Sequence, residues 1–138
     1  MTFQPPEPFT LHARKSPLTA PWEPIYADIR EDRWLLAVEV REPHTNTRGN
    51  PHGGLLAALA DNAMGLSCGV LLTKLKIPSN GLVTVSLGLD YLAAAKLGQW
   101  LVFDTNFIKP GKSLCYAEAT VSADGKPVAR ARATFKVA

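Results

Sequence analysis

Residues 53–73 read GGLLAALADNAMGLSCGVLLT, a run of twenty-one residues that follows His52 directly and holds one ionisable carboxylate, Asp61. Leu55, Leu59, Leu66 and Val70 recur on one side of a helical wheel, and Leu56, Ala60, Ala63 and Leu71 on another. The pattern predicts one long helix, apolar nearly all round and therefore enclosed. Burying an unpaired carboxylate is costly, so a chain that keeps one there puts it to use. Asp61 is the first candidate for chemistry. The run is long enough to raise a membrane span, but Asp61, Asn62, Ser67 and the glycines at 53, 54, 65 and 69 favour a helix buried in a folded core, with no membrane partner.

On the N-terminal side, residues 25–30 and 33–40 predict a hairpin turning at Glu31-Asp32, with Trp34, Leu36 and Val38 on one face. Residues 41–51 carry two prolines, Asn46, Gly49 and Asn50 and predict a loop. Residues 1–22 hold five prolines and predict an irregular extension lying on the domain, with one short helical turn near 10–14; the domain proper then runs 23–138. On the C-terminal side, Val83, Val85, Leu87, Leu89 and Tyr91 alternate with Thr84, Ser86, Gly88 and Asp90 in a long strand. Further strands are predicted over 100–108, 113–123 and 128–137, the last two joined at Asp124-Gly125. The order β-β-α-β-β-β-β, with strands paired to their sequence neighbours, predicts an α+β fold in which an antiparallel sheet curls around one central helix.

At 138 residues the chain fits one domain, short enough that an active site can need a second subunit. A hydrophobic share of 46% against 20% charged excludes disorder and fibrous repeats. The net charge is +3, and from Lys109 onward six basic residues face two acidic ones. Arg130, Arg132 and Lys136 alternate with small and apolar residues, so they form either a solvated strand face or a surface for an anionic ligand. No basic cluster with interleaved aromatics points to nucleic acid. Cys68 and Cys115 have neither metal-ligand nor redox spacing and predict reduced core thiols. His12, His44 and His52 show no metal-ligand spacing with the acids, so no metal is expected. The N-terminus lacks a secretory pattern, and a cytoplasmic location is the expectation.

The helix start suits an anion or a polarised carbonyl. Gly53 and Gly54 allow close approach to the backbone, and the first-turn amides are free donors at the positive end of the helix dipole. Asp61 lies eight residues beyond Gly53, about 12 Å at ~1.5 Å per residue, so one helix cannot bring both to one reacting atom. Two antiparallel helices across a two-fold axis would do so, twice over.

The pattern Asn46, His52-Gly53-Gly54, Leu59-Ala60-Asp61-Asn62-Ala63 and Asp90-Tyr91-Leu92 resembles the hotdog-fold acyl-CoA thioesterases of the PaaI-like group, over roughly residues 25–138. The resemblance implies hydrolysis of a coenzyme A thioester, with no cofactor beyond the coenzyme A of the substrate, by a homodimer or dimer of dimers. It implies that the Gly53 amide and the Asn46 side chain polarise the thioester carbonyl, and that Asp61 of the other subunit activates or orients water. Thr84 would help to hold that water, and His52 would order the loop. Gly54 and Met64 fall to the substrate, and Lys109, Gly111 and Lys112 to a turn that meets the nucleotide phosphates. Where related chains often carry a proline after the Asp-Tyr-Leu strand, this one has Ala93-Ala94-Ala95.

A thiolate leaves readily, so the reaction needs only a base and an oxyanion hole, and one carboxylate is enough. Asp61 as base is favoured over Asp61 as nucleophile. Two alternatives stand beside hydrolysis. A hotdog hydratase or dehydratase would need a histidine as well as an acid, and the helix has none. A non-catalytic acyl-CoA-binding protein would have little use for Asp61, because an apolar residue there costs less.

Overall fold

The computed structural model describes residues 3–138, so residues 1 and 2 of the expected extension lie outside it. The helix α1 runs Gly53–Lys74. Its end is built by local hydrogen bonds: the Lys76 N–H reaches Thr73 O at 3.1 Å and the Ile77 N–H reaches Leu72 O at 2.9 Å, with Lys76 left-handed at φ 59°. This paired closure satisfies carbonyls that would otherwise be orphaned.

Seven strands form one antiparallel sheet: β1 (Thr10–Leu11), β2 (Tyr26–Ile29), β3 (Trp34–Glu39), β4 (Leu82–Tyr91), β5 (Trp100–Lys109), β6 (Leu114–Ala123) and β7 (Lys126–Val137). Their order across the sheet is β1-β2-β3-β5-β6-β7-β4. The long helix and its curled sheet are the hotdog arrangement that the sequence led us to expect. The hairpin at Asp124-Gly125 has both residues at positive φ, 47° and 83°, as a tight two-residue turn requires.

Three details differ from the sequence reading. Thr10–Leu11 is a short strand paired with Tyr26 and Ala27, where a helical turn was expected. Pairing with an open strand edge outweighs the local preference of so short a segment.

Second, β4 does not pair with β5. It pairs with β7, while β5 pairs with β3. Residues 92–99 are too many for a tight hairpin and carry the chain from the edge of the sheet past β7 and β6 to its middle. That leaves β4 as an edge strand of ten residues.

Third, the helix is not enclosed. Leu55, Leu56, Leu59, Ala60, Ala63, Met64, Ser67, Cys68 and Leu72 are buried, whereas Ala57, Ala58, Asp61, Asn62, Gly65, Leu66, Gly69 and Val70 form a partly exposed flank. A single sheet covers one side of a helix, and nothing among the described residues covers the other.

Trp34, Leu36 and Val38 do point to the helix with Leu101 and Phe103. The opposite face of β3 is buried too, because the proline-rich extension lays Phe3 and Phe9 on Trp100 at 5.6 and 5.3 Å between ring centroids, beside Tyr26 and Ala37. Cys68 and Cys115 are free thiols in the core, and burial pushes the pKa of both upward.

Candidate active site

The helix start is fixed from both ends of one peptide group. The His52 Nδ1 caps the helix by accepting from the Gly54 N–H at 2.7 Å. The Tyr91 hydroxyl donates to the Gly53 carbonyl at 2.7 Å. The C=O and N–H of the Gly53–Gly54 peptide are therefore both held, and the helix cannot fray there. Because its Nδ1 accepts, the His52 ring carries its proton on Nε2 and is a poor choice for proton abstraction at the helix. Gly54 spends its amide on the cap, so it is a structural residue of the start and no free donor. The Gly53 N–H, the first amide of the helix, has no acceptor among the described residues. A side chain at Gly53 would meet the Tyr91 ring at 3.3 Å, which accounts for glycine there.

Asn46 sits in the loop before the helix, closed by the bridge between Thr45 and Pro51. Its Oδ1 accepts from the Arg48 N–H at 2.9 Å and from the Asn50 N–H at 3.3 Å. Two backbone donors fix the orientation of the amide: the oxygen turns to the loop backbone and the NH2 keeps both hydrogens available. His44 anchors the same loop. It is 1% exposed, accepts from the Arg41 N–H and donates through Nε2 to the Trp22 carbonyl, both at 2.9 Å. Burial lowers its pKa below the usual imidazole value.

Asp61 lies on the open flank of the helix, partly exposed, and its Oδ1 accepts from the Thr84 hydroxyl at 2.6 Å. A fault in the strand makes that bond. Thr84 pairs with Phe135 and Ser86 with Thr134, so Val85 is an extra residue and β4 carries a bulge. Before the bulge Leu82 and Thr84 face the helix; after it Leu87, Leu89 and Tyr91 do. The unbroken alternation expected from 83 to 91 would have turned Thr84 away from Asp61. The bulge re-aims it, a recurring use of such irregularities.

Asp61 and Thr84 border a cavity of about 1050 Å³. Its apolar lining includes Ile25, Leu36, Leu59, Leu72, Leu82 and Phe135, and its margin carries Arg14, Lys15 and Lys76. Met64 is fully buried in the core and does not line it. Lys109, Gly111 and Lys112 lie at the β5–β6 turn, also outside this cavity. Gly111 has a local reason to be glycine, since a Cβ would come 2.5 Å from the Leu114 carbonyl oxygen. Arg130, Arg132 and Lys136 project from the face of β7 away from the helix, where Arg130 donates to Thr120 and Arg132 lies over Gly88.

Within one chain, then, two hydrogen-bonded groups form at separate levels of one helix: Gly53 with His52 and Tyr91, and Asp61 with Thr84. Sequence reasoning singled out Asp61, Thr84, Gly53 and His52 but gave Tyr91 no role and did not use His44 or the cavity wall contributed by the N-terminal segment. The sequence carries no local signal for these, since each acts on a residue more than twenty positions away or, for His44, through Trp22.

A family model described as the thioesterase superfamily matches residues 48–129. The chain belongs to the thioesterase superfamily. Acyl-coenzyme A thioesterase 13 of Homo sapiens is 36% identical over 102 residues, covering 72% of this chain and 69% of that protein. The structure of smu.793 from Streptococcus mutans UA159 bound to acetyl CoA matches with a TM-score of 0.70 at 25% identity, over 80% of this chain and 85% of that one. For the fold alone, a single-residue mutant of the phenylacetic acid degradation protein PaaI from Thermus thermophilus matches with a TM-score of 0.71 at 24% identity, over 83% of this chain and 93% of that one. The residues matched by the thioesterase superfamily model include both hydrogen-bonded groups.

Proposed function

We propose that this chain hydrolyses acyl-CoA thioesters at sites shared between two copies, with Asp61 of one copy as general base and the Gly53 N–H and Asn46 Nδ2 of the other as the oxyanion hole. The observation that carries this reading is the division of the half-sites: a pinned helix start with one free amide, and an aspartate held by Thr84 beside an open cavity, about 12 Å apart on one helix at ~1.5 Å per residue. Two features support pairing of copies. The open flank of the helix carries Ala57, Ala58, Gly65 and Gly69, small enough for a second helix to approach. Beside it, β4 presents a ten-residue free edge with Val83 58% and Val85 55% exposed, an arrangement that invites another strand. Dimers would stack further into tetramers through remaining apolar surface.

In the reaction, Thr84 holds Oδ1 of Asp61 and leaves Oδ2 to take a proton from water. The resulting hydroxide adds to the thioester carbonyl. Charge develops on the carbonyl oxygen, where preorganised donors are each worth roughly 10²- to 10³-fold in rate. Collapse breaks the C–S bond, releasing the carboxylic acid and the coenzyme A thiolate, and the proton on Asp61 passes to the thiolate or to solvent. The chemistry needs no cofactor. Support for coenzyme A as carrier comes from the names of the human relative and of the acetyl-CoA-bound structure.

The test is thiol release from a panel of aliphatic and aryl CoA thioesters by the native chain and by Asp61→Ala. Turnover that collapses in a variant with unchanged circular dichroism supports the reading; native protein that binds the thioesters and releases no thiol overturns it. Cys68 and Cys115, buried and with raised pKa, should add little to an enzyme-only blank.

A further inference from the structure

Residues 45–51 form a closed loop that carries Asn46, and the fold grips this loop at its root. Thr45 bridges to Pro51, and the Asn46 N–H donates to the Asn50 carbonyl at 2.8 Å. One step outward, the His52 N–H donates to the His44 carbonyl at 2.9 Å. His44 and His52 therefore stand on either side of the root. His52 also caps the helix that begins at Gly53, so His44 adjoins both proposed sources of oxyanion donors: Asn46 two positions on, and the Gly53 N–H across the root.

The His44 ring holds this residue in place. It is 1% exposed and bonded at both nitrogens: Nδ1 accepts from the Arg41 N–H and Nε2 donates to the Trp22 carbonyl, each at 2.9 Å. These partners fix the tautomer, because a backbone N–H only donates and a carbonyl only accepts. The ring is thus clamped between the residue that follows Val40 and the short 3-10 turn over Ala20–Trp22. The Trp22 carbonyl does not depend on it. Arg41 Nη2 donates to the same oxygen at 3.1 Å, so that oxygen keeps a partner without His44. The second donor adds orientation, since bonds at both nitrogens stop the imidazole from turning. Trp22, Arg41 and His44 all precede residues 48–129, so this clamp is no part of the segment that the superfamily model matches.

Resting on the thioesterase reading, we infer that His44 is a positioning residue for the oxyanion hole: its clamped ring sets the root of the loop, and through it the aim of the Asn46 amide and the Gly53 N–H. It touches no substrate. Donors to a developing oxyanion act in the transition state, and a misplacement of about 1 Å can cost on the order of a hundredfold in rate. Loosening His44 therefore lowers kcat and spares ground-state binding. A role confined to the N-terminal segment, which lines the cavity, does the reverse: freeing Trp22 disturbs the pocket wall and raises KM.

The experiment compares the native chain with His44→Ala, His44→Asn and His44→Gln on an acyl-CoA thioester that the native chain hydrolyses. It reads kcat and KM, the dissociation constant of the same thioester with each change placed on Asp61→Ala, and deuterium exchange of the His52 and Gly54 amides by NMR. In His44→Ala, kcat should fall roughly tenfold to a hundredfold with the dissociation constant unchanged, and both amides should exchange faster. His44→Asn keeps an acceptor within the reach of Nδ1 and His44→Gln a donor within the reach of Nε2, so each should recover part of kcat and part of the protection. If His44→Ala loses its fold, these two variants carry the same comparison. Native kcat in all three overturns the inference. So does a rise in KM and in the dissociation constant with kcat kept, which marks a pocket wall, or a fall in kcat with unaltered amide exchange. If the native chain releases no thiol from any thioester, the hydrolase reading fails, and exchange at His52 and Gly54 still decides whether His44 sets the root of the loop.

Discussion

Thr84 and Tyr91 act through one hydroxyl each, and both can be tested by removing that hydroxyl alone. Thr84→Val keeps the β-branched shape on an exposed strand but takes the donor from Asp61. Hydrogen bonds to charged groups contribute about 1.5 to 3 kcal/mol, so kcat is expected to fall roughly tenfold to a hundredfold, with Thr84→Ser restoring most of it. An unchanged kcat in Thr84→Val would remove Thr84 from the mechanism. Tyr91→Phe leaves the ring over Gly53 and frees the Gly53 carbonyl. We expect a lower kcat with little change in KM, measured beside His52→Ala, which should also lose about 1 kcal/mol of stability with its N-cap. At this scale the sequence was only half legible. Asp61 stood out because it was the lone acid in an apolar run, although the reason differs from the one the composition suggested: the carboxylate is not buried but placed on an open flank. Met64 looked like a pocket residue because it shares the helix with Asp61, yet its position on the wheel turns it into the core.

Among the elements, β4 and the loop before the helix hold the most information that composition hides. Counting apolar residues from 83 to 91 gives an unbroken period of two, and nothing in those letters marks Val85 as the extra residue. Bulges are set by pairing with a partner strand, here β7, and that pairing was itself beyond reach because residues 92–99 look like a turn. Deleting Val85 should restore the regular ladder and turn either Thr84 or the strand beyond it to the wrong face. Loss of thiol release with retained sheet content by circular dichroism is the expected outcome; full activity would show that the bulge is incidental. The loop makes a different prediction. Unfolded, His44 takes up a proton near pH 6.5; folded and buried between Arg41 and Trp22, it resists until a lower pH. The unfolded chain therefore binds more protons in that window, and stability falls as pH is lowered through it. His12 contributes with the same sign. Thermal unfolding midpoints followed downward from neutral pH should drop, and His44→Gln should flatten the slope. A native profile with no such fall below pH 6.5 would contradict the buried neutral rings.

Across the whole molecule, the order of elements and the single long helix could be read from periodicity, since a helix of period 3.6 and strands of period 2 leave distinct marks. The covering of that helix could not, because a wheel apolar on two sides looks the same whether its second side meets the chain's own sheet or a second copy. The proposed sharing of sites between two copies makes a quantitative prediction. Asp61→Ala and Asn46→Ala should each be inactive alone, but co-expressed they should regain about a quarter of native activity: half the dimers are mixed, and each mixed dimer has one intact site of two. No recovery, with mixed dimers verified by differential tags, would show that each site is made by a single chain. The free edge of β4 then takes on a further meaning. Val83 and Val85 are the exposed aliphatics that a solubility engineer would replace first with lysine. Under the proposed pairing such a change is no cosmetic repair: Val83→Lys should yield a well-behaved, monodisperse and inert monomer, because the surface most prone to indiscriminate sticking would also be the one on which each chain completes its site with a second copy.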